Sequence, residues 1–406
     1  MQLRPDSSLG GKSRGCQYNN SNVIAQPIEP ASVPKKNKVV HLTSVHDPFD
    51  VRVFHKECKT FAEAGYEVVL VAPHKQDELL NGVRIRAVDE PNSRFERMIR
   101  TVWQVFRAAV DEDAFLYHFH DPELIPVGLL LKCYGRRVIY DAHENVSQDI
   151  LNKDYIPPVL NKLTAALVSR FEYSASLLFD RIVAATPSIA KRFSQQKTLT
   201  VQNFPIRNGI QPIAVSYCQR PIVAAYVGEI TAARGIKEMV AAMGLLPSNV
   251  DARLILAAKF RPSVLEHEVK QIPGWERVDF VGWLPSNEVA ALLGQARMGL
   301  VLFHPLPNHL DAQPHKLFDY MSAGIPVIAS DFPLWRKIIQ ETGCGILVDP
   351  LNPKAIAEAI LWLLEHPEEA ETMGRRASEA ASSRFNWGIE AAKLVGLYQE
   401  LLPTTA

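Results

Sequence analysis

The feature of this sequence that most restricts its fold is a repeated alternation of short apolar runs with stretches of helical periodicity. The apolar runs lie at 38–42, 66–73, 114–118, 138–141, 181–185, 199–202, 222–227, 253–258, 277–281, 299–303, 326–329 and 345–348. Their length suits buried strands, and helical stretches separate most of them. Such alternation is typical of parallel sheets covered by helices on both faces. We therefore predict an α/β fold of the doubly wound type.

The alternation stops between residues 206 and 220 and then resumes, which predicts two domains. Asn208, Gly209 and Pro212 in this break are residue types that favour turns. We predict Rossmann-like domains at 38–205 and 221–385 that face each other across a cleft, joined by a linker at 206–220. Residues 386–406 are expected to form a helix that crosses back to the N-terminal domain.

Composition and missing motifs exclude several classes of function. Basic and acidic residues number 44 each, which disfavours a dedicated nucleic-acid-binding protein because such proteins are normally basic. No GxGxxG follows the first apolar run and no GxxxxGK[ST] occurs, which disfavours NAD, FAD and P-loop sites. The five cysteines form no CxxC pair, so we expect a reducing, cytoplasmic location. Residues 1–37 lack the apolar core of a signal peptide and are expected to form a disordered tail.

The segment DAQPHKLFDYMSAGIPVIASD at 311–331 carries the strongest chemical signal. It predicts a loop, a helix that begins near His315 and ends at Gly324, and a buried strand. Backbone amides at the start of such a helix can bind an anion, with help from the helix dipole. Asp319 would lie about one turn into this helix, where it can accept a hydrogen bond from a ribose hydroxyl. Asp311 lies eight residues earlier, on the loop.

This segment resembles the acidic motif of the retaining glycosyltransferases of family 4, the group-1 glycosyltransferases, which have the GT-B fold. That motif has two carboxylates eight residues apart, and KLFDYMSAGIPVIASD is similar to the KLFEYMA-G-PVIASD of one branch. The resemblance covers roughly residues 38–403. It implies that Asp319 contacts the donor ribose and that Asp311 lies near the donor sugar.

A second segment, YVGEITAARGI at 226–236, resembles the loop that wraps the donor diphosphate in this family. Arg234 takes the position of the family's lysine, whereas Glu229 stands where the family has an arginine. The missing positive charge would then come from elsewhere, with Lys259 as the candidate. The stretch VDFVGWLP resembles the one before the base pocket. The resemblance implies a donor site formed by Gly228, Arg234, Lys259, Gly282, Trp283, Pro314, His315, Lys316 and Asp319.

In the first domain, YHFHDPELIP at 117–126 and VIYDAHEN at 138–145 also resemble family segments. His143 falls on the position of a cleft histidine that faces the transferring sugar and the acceptor. His118 and His120 are expected to point to opposite faces of their strand, with His120 toward the cleft. The catalytic residues would be His143, Asp311 and Arg234. The acceptor side would comprise Asp50, Arg52, His120, Asp121 and Glu144.

The resemblance implies a retaining transfer of a sugar from a UDP- or GDP-sugar to an acceptor hydroxyl, in surface polysaccharide or glycoconjugate biosynthesis. The acceptor would be a saccharide or a lipid-linked saccharide. No cofactor and no metal would be required. Contact with the inner face of the membrane would be peripheral, and the helical stretch 160–179 is expected to pack in the core. Two alternatives are a nucleotide-sugar epimerase of the same fold and a non-catalytic nucleotide-sugar-binding protein.

Overall fold

The structure of the protein, a computed structural model, describes residues 37–144, 146, 150, 158–206 and 215–402. The predicted tail, apart from Asn37, lies outside the described residues, and so do residues 207–214 of the predicted linker. Among the described residues, we find no helix that combines the length and the apolar character needed to cross a membrane.

The N-terminal half is built on an eight-stranded sheet with the strand order β3-β4-β2-β1-β5-β6-β7-β8. The strands are β1 (Lys38–Leu42), β2 (Glu67–Pro73), β3 (Glu78–Leu80), β4 (Val83–Val88), β5 (Leu116–Phe119), β6 (Arg137–Ala142), β7 (Arg181–Ala184) and β8 (Thr198–Thr200). All neighbours are parallel except β3 and β4. Because the order reverses between β1 and β5, a crevice for a ligand is expected at the carboxyl ends of these two strands.

The C-terminal half is built on a six-stranded parallel sheet with the order β11-β10-β9-β12-β13-β14. The strands are β9 (Val223–Ile230), β10 (Arg253–Phe260), β11 (Val278–Phe280), β12 (Met298–Val301), β13 (Val327–Ser330) and β14 (Gly345–Val348). Here the order reverses between β9 and β12, so the loops after these two strands form the second crevice.

Helices cover both faces of each sheet. In the N-terminal half they are α1 (Lys59–Glu63), α2 (Arg94–Glu96), α3 (Val102–Glu112), α4 (Ile125–Cys133), α5 (Pro158–Ser176) and α6 (Pro187–Ala190), with π-helical turns at Val53–Cys58 and Arg97–Thr101. In the C-terminal half they are α7 (Ile236–Gly244), α8 (Val264–Val269), α9 (Ser286–Gln295), α10 (Pro307–Leu310), α11 (His315–Ser322), α12 (Pro333–Thr342), α13 (Pro353–Glu365), α14 (Pro367–Ser383) and α15 (Trp387–Leu401). The predicted α/β fold is confirmed, and each of the twelve predicted strands overlaps an observed one.

The hairpin of β3 and β4 at the sheet edge was not predicted. Val83 and Ile85 are buried while Arg84 and Arg86 are half-buried, so β4 alternates with a period of two. The alternation is the pattern of a strand that is covered on one face only. The prediction rested on continuous apolar runs, which mark strands buried on both faces, so it missed β4.

The last helix, α15, packs on the N-terminal domain rather than on the domain that precedes it in sequence. The backbone N–H of Trp387 donates to the carbonyl oxygen of Pro205 at 2.8 Å. The Trp387 indole donates to the Thr60 hydroxyl at 2.9 Å, and the Tyr398 ring stacks on the Phe61 ring with centroids 3.7 Å apart. The start of α15 therefore lies beside Pro205, at the end of the N-terminal domain.

Candidate active site

The cleft between the two domains contains a cavity of about 430 Å³ where the loops of the two crevices meet. The N-terminal domain lines it with His46, Asp50, Arg52, His143, Glu144, Ala185, Thr186, Ser188, Ile189 and Asn203. The C-terminal domain lines it with Asn308, Asp311, Ala312, Gln313 and His315. The structure thus brings six of the predicted site residues from both domains to one cavity: Asp50, Arg52, His143, Glu144, Asp311 and His315.

The loop after β1 places a protonatable histidine, His46, on the cavity wall. Its Nδ1 lies 3.7 Å from an Asp50 carboxylate oxygen, and its Nε2 lies 3.3 Å from Asp121. Burial opposes protonation, but the Asp50 hydrogen bond and the Asp121 charge together raise the pKa of His46 above its ordinary value. Asp50 also accepts the backbone N–H of Arg52 at 2.8 Å and thereby fixes the start of the following helical turn. The sequence reasoning missed His46, because no motif marks it.

Behind this wall, Arg52 is buried and holds two acidic side chains. Its Nη2 lies 3.0 Å from Asp141 Oδ1, and its Nε lies 3.0 Å from Glu57 Oε1. Burial and the neighbouring Asp141 raise the pKa of Glu57 well above its usual range. Burial also disfavours the Asp141 anion, yet Arg52 and His143 hold the pKa of Asp141 well below its usual range. Arg52 was predicted to lie on the acceptor side. It reaches the cavity, but its guanidinium is paired with the buried carboxylate of Asp141.

A chain of hydrogen bonds leads from Asp141 through buried histidines to the terminal helix. His143 Nε2 lies 2.9 Å from Asp141, and His120 Nδ1 lies 3.5 Å from the same oxygen. His120 Nε2 lies 2.9 Å from His41 Nδ1. His41 Nε2 lies 3.2 Å from the hydroxyl of Tyr398. That hydroxyl also lies 2.7 Å from Nδ1 of a further buried histidine, His118.

One arrangement of protons satisfies this chain when the rings are neutral, because a neutral imidazole has one N–H and one acceptor nitrogen. Asp141 then accepts from His143 Nε2 and His120 Nδ1, and each following group donates toward it, from His118 through Tyr398 and His41. His118 Nε2 is left without a hydrogen-bond partner among the described residues. Burial lowers the pKa of both His41 and His118 well below the ordinary value, in keeping with neutral rings. Asp141 therefore sets the orientation of the cleft histidine, His143.

The expectation that His118 and His120 point to opposite faces is wrong. Residues two apart along a strand share a face, and the centroids of these two rings are 4.8 Å apart. Both side chains are buried, and His120 reaches the cleft only through its contact with His143 at 3.3 Å.

The same side chains form two groups whose ligand atoms lie within 4.8 Å of one another, the spacing that a metal ion needs. One group is His41, Glu57, His118 and His120, and the other is Glu57, His120, Asp141 and His143. In the second group, Arg52 already contacts both acids, so a metal ion would lie beside a buried positive charge. This disfavours a metal there, and a metal-independent reaction stays a prediction.

On the donor side, the loop after β9 places Arg234 at the start of α7. Gly235 has φ +74°, and a Cβ at this position would lie 2.0 Å from the carbonyl oxygen of Leu302, so only glycine fits. Arg234 Nη1 donates to the backbone oxygen of Glu229 at 3.1 Å and lies 3.3 Å from its carboxylate. Arg261 Nε lies 2.8 Å from the other carboxylate oxygen. Glu229, the departure from the family pattern, thus holds two arginines.

The first turn of α11 carries a buried amine, that of Lys316. Its Nζ lies 3.5 Å from the centroid of the Tyr226 ring and has no hydrogen-bond partner among the described residues. Burial and the charge of Arg234 lower the pKa of Lys316 well below its usual range. Without a counter-ion the neutral amine is therefore favoured, and an anion bound beside Lys316 and Arg234 would stabilise the charged form of Lys316. Lys259, which the sequence suggested as the second cation, has an exposed side chain on β10, so the structure favours Lys316 instead.

Asp319, also on α11, is half-buried. Burial raises the pKa of Asp319 to about 7, although the charges of Lys56 and Lys316 oppose the shift. Lys56 comes from the N-terminal domain, where its ammonium donates to Asn203 Oδ1 at 2.6 Å. Burial and Arg52 lower the pKa of Lys56 to about 7. No motif marks Lys56, because its electrostatic interaction with Asp319 joins residues that are far apart in sequence.

The other predicted site residues lie around these groups. Pro314 precedes α11, and burial followed by the Lys56 charge lowers the pKa of His315 to about 4. Asp121 is buried and accepts the backbone N–H of Ser44 at 2.6 Å. Gly228 lies near the end of β9, and Gly282 and the 69% exposed Trp283 follow β11. These three residues do not line the cavity, and neither do Arg234, Lys316 and Asp319.

Comparison with known proteins places this geometry in a family. Residues 218–380 match the family model of the glycosyl transferases group 1, and residues 51–211 match that of glycosyltransferase family 4. The D-rhamnosyltransferase WbpZ of Pseudomonas aeruginosa is 26% identical over 292 residues, 68% of this chain and 71% of that protein. The alpha-D-kanosaminyltransferase of Streptomyces kanamyceticus is 25% identical over 185 residues, 45% of this chain and 46% of that protein.

Solved structures agree on the fold. A sucrose-phosphate synthase from Thermosynechococcus elongatus superposes with a TM-score of 0.72 at 20% identity, covering 90% of this chain and 99% of that chain. Anabaena HepE in complex with UDP superposes with a TM-score of 0.69 at 15% identity, covering 89% of this chain and 100% of that chain. With both domains matched by glycosyltransferase models and the two-sheet fold shared with these structures, the chain belongs to the group-1 glycosyltransferases of the GT-B fold.

Proposed function

We propose that the protein transfers a sugar, with retention at the anomeric carbon, from a nucleoside diphosphate sugar to the hydroxyl of a saccharide or lipid-linked saccharide acceptor. The observation that carries this proposal is the pair of basic side chains, Arg234 and Lys316, which both lie 5.6 Å from the centroid of the Phe303 ring. Lys316 belongs to the first turn of α11, and its neighbour His315 lines the cleft cavity together with His143. The related HepE structures contain UDP and UDP-glucose, which supports a UDP-sugar as the first donor to test.

In the proposed reaction, the leaving group is a nucleoside diphosphate. Its departure needs stabilisation of negative charge more than proton donation. Arg234 and the backbone amides at the start of α11 supply that stabilisation, because both the guanidinium and a helix N-terminus favour an anion. Asp319, one turn further along, accepts a hydrogen bond from the donor ribose.

His143 is the group that we assign to the acceptor side. Burial lowers the pKa of His143 to about 4, although Asp141 opposes the shift, so the ring is neutral at neutral pH. Since Nε2 donates to Asp141, Nδ1 carries the lone pair and accepts a hydrogen bond from a sugar hydroxyl. The acceptor hydroxyl attacks from the face of the leaving group, and a phosphate oxygen takes its proton. Asp311, which is exposed on the cavity wall, would contact the donor sugar.

A second candidate function is supported by Glu229. Its carboxylate already occupies Arg234 at 3.3 Å, which would weaken the hold on a diphosphate. A nucleotide-sugar-binding protein without turnover would tolerate that loss. Product analysis separates the candidates, since a transferase forms a new glycoside, an epimerase isomerises the nucleotide sugar, and a binding protein does neither.

The first experiment is calorimetric titration of UDP, GDP and ADP into the wild-type protein and into Asp319→Ala. Asp331→Ala is the matched control, because Asp331 is exposed and paired with Arg336 outside the cleft cavity. We expect one nucleotide to bind, the Asp319 variant to lose most of that affinity, and the control to keep it. Equal nucleotide affinity in the wild type and in Asp319→Ala, or no nucleotide binding at all, contradicts the proposed donor site.

A further inference from the structure

The N-terminal domain exposes large apolar side chains along one helical stretch that no part of the proposed reaction uses. This stretch runs from α2 through a π-helical turn into α3. Phe95, Met98, Ile99 and Trp103 are 76%, 60%, 57% and 56% exposed. Their clustering is the unusual feature, because isolated exposed apolar residues are normal on protein surfaces.

A neighbouring helix, α5, carries a second apolar stripe. Leu163, Leu167 and Phe171 follow one another at intervals of four residues, so they lie on one face of the helix. They are 58%, 59% and 50% exposed. The expectation that the stretch 160–179 packs in the core is therefore wrong for this face, since only part of the helix is needed to cover the sheet.

The two stripes belong to one surface, because α4 packs against both α3 and α5. Tyr134, just after α4, is 60% exposed. The centroid of its ring lies 6.2 Å from that of Phe106, which lies 5.4 Å from that of Trp103. We call the surface formed by residues 94–107, 125–137 and 161–178 the basic apolar face.

The charges of this face differ sharply from those of the whole chain, in which acidic and basic residues are equal in number. Its basic residues are Arg94, Arg97, Arg100, Arg107, Lys132, Arg136, Arg137, Lys162 and Arg170. Its acidic residues are Glu96 and Glu172, and Glu172 is buried. Five of the basic residues pair with acids just outside these ranges: Arg97, Arg100, Lys132, Arg136 and Arg137. The positive charge that is exposed among the apolar side chains is therefore that of Arg107, Lys162 and Arg170.

We propose that the basic apolar face docks on an anionic lipid bilayer. Tryptophan and phenylalanine side chains enter the interface of a bilayer, and the arginines and lysines around them bind anionic headgroups. A second copy of this chain fits less well, because two such faces would bring like charges together. Another protein also fits less well, since the centres of protein interfaces are depleted in charged residues.

The basic apolar face lies close to the acceptor side of the cleft. Arg97 Nε lies 2.9 Å from Glu123 Oε1, and Glu123 follows two residues after Asp121, which contacts His46 on the cavity wall. The face therefore borders the acceptor side of the cleft. A lipid-linked acceptor, which rests on the proposed function, would reach the cleft without leaving the bilayer. Docking itself does not depend on the reaction.

Sedimentation with vesicles tests the proposal. The full chain is mixed with vesicles of phosphatidylcholine alone or of phosphatidylcholine with 30% phosphatidylglycerol, and the bound fraction is measured. We expect at least tenfold stronger binding to the anionic vesicles. Ile99→Glu with Trp103→Glu should reduce it at least tenfold, and so should Arg107→Glu with Lys162→Glu and Arg170→Glu. The control is Leu245→Glu with Val264→Glu, two equally exposed apolar residues on the other domain.

Calorimetry with the nucleotide that the wild type binds shows that each variant is folded, and sedimentation equilibrium without vesicles gives its oligomeric state. No binding to anionic vesicles, or binding that only the control variant loses, overturns the proposal. A dimer that Ile99→Glu with Trp103→Glu dissociates, with no vesicle binding, would assign the face to a second copy instead. Nucleotide binding without vesicle binding would overturn the docking proposal and leave the proposed function intact. Vesicle binding without nucleotide binding would support docking and contradict the proposed donor site.

Discussion

Replacing Asp319 with asparagine should stabilise the empty protein at neutral pH. Burial raises the pKa of this carboxyl to about 7 from an ordinary value of 3.8. The folded protein therefore keeps the proton over a pH range in which the unfolded chain has released it. Asparagine is neutral at every pH and replaces the protonated acid with little change in shape.

The size and sign of the effect follow from proton linkage. A shift of about three pKa units corresponds to roughly 4 kcal/mol, and partial exposure of the side chain reduces this to about 2 kcal/mol. Because the pKa of Asp319 is raised in the folded state, the wild type loses stability as pH rises from about 4 to about 7. Above pH 7 the loss is complete. Asp319→Asn should therefore match the wild type near pH 4 and exceed it by about 2 kcal/mol at pH 8.

Thermal unfolding of both proteins without nucleotide, at pH 5, 6, 7 and 8, measures this difference. A gain of about 2 kcal/mol corresponds to a rise in midpoint of roughly 4–8 °C for a domain of this size. The control is Asp331→Asn, because Arg336 holds the pKa of the Asp331 carboxyl below its ordinary value, so this variant should gain nothing. A gain that is equal at all four pH values, or a loss at pH 8, would refute the reasoning. A loss would mean that Lys56 and Lys316 stabilise the Asp319 anion in the empty cleft.

Three further variants test other parts of the site. Arg234→Ala should lower kcat by about 10²–10³, as loss of a group that stabilises a developing anion does, while Arg253→Ala on the far strand end should not; unchanged turnover in the first variant would remove Arg234 from the mechanism. Lys316→Met should weaken nucleoside diphosphate binding about 10–100-fold in calorimetry but leave nucleoside binding unchanged. An equal loss for both ligands would give Lys316 a structural role. Tyr398→Phe should lower the free energy of unfolding by about 1–3 kcal/mol in urea titrations, because His41 Nε2 loses its donor; no loss would argue against the proton arrangement deduced above.

The parts of the molecule that depend on residues close together in sequence could be predicted. The strands after which the site loops follow were found from their apolar runs, and the start of α11 at His315 followed from the loop and Gly324 around it. The hairpin of β3 and β4 was missed because only one of its faces is buried.

The interior of the site was beyond prediction for a different reason. Tyr398 and His41 are 357 residues apart in sequence, and only the folded chain shows that they share a hydrogen bond. Likewise, two lysines near the donor loop look alike in sequence, but packing buries Lys316 against Tyr226 and leaves Lys259 exposed. The shared face of His118 and His120, in contrast, is predictable from sequence, because side chains two residues apart on a strand point to the same side of the sheet.

The return of α15 to the N-terminal domain also determines when that domain can finish folding. Trp387, Leu394, Leu397 and Tyr398 form part of the apolar core beneath the first sheet. During synthesis from the N-terminus, one side of this core stays uncovered until the ribosome has made the whole second domain and then α15. The N-terminal domain then stays incompletely packed until these last residues are translated, and the apolar surface that it exposes in the meantime is prone to aggregation. A fragment that ends after β8 should for the same reason expose this core and aggregate.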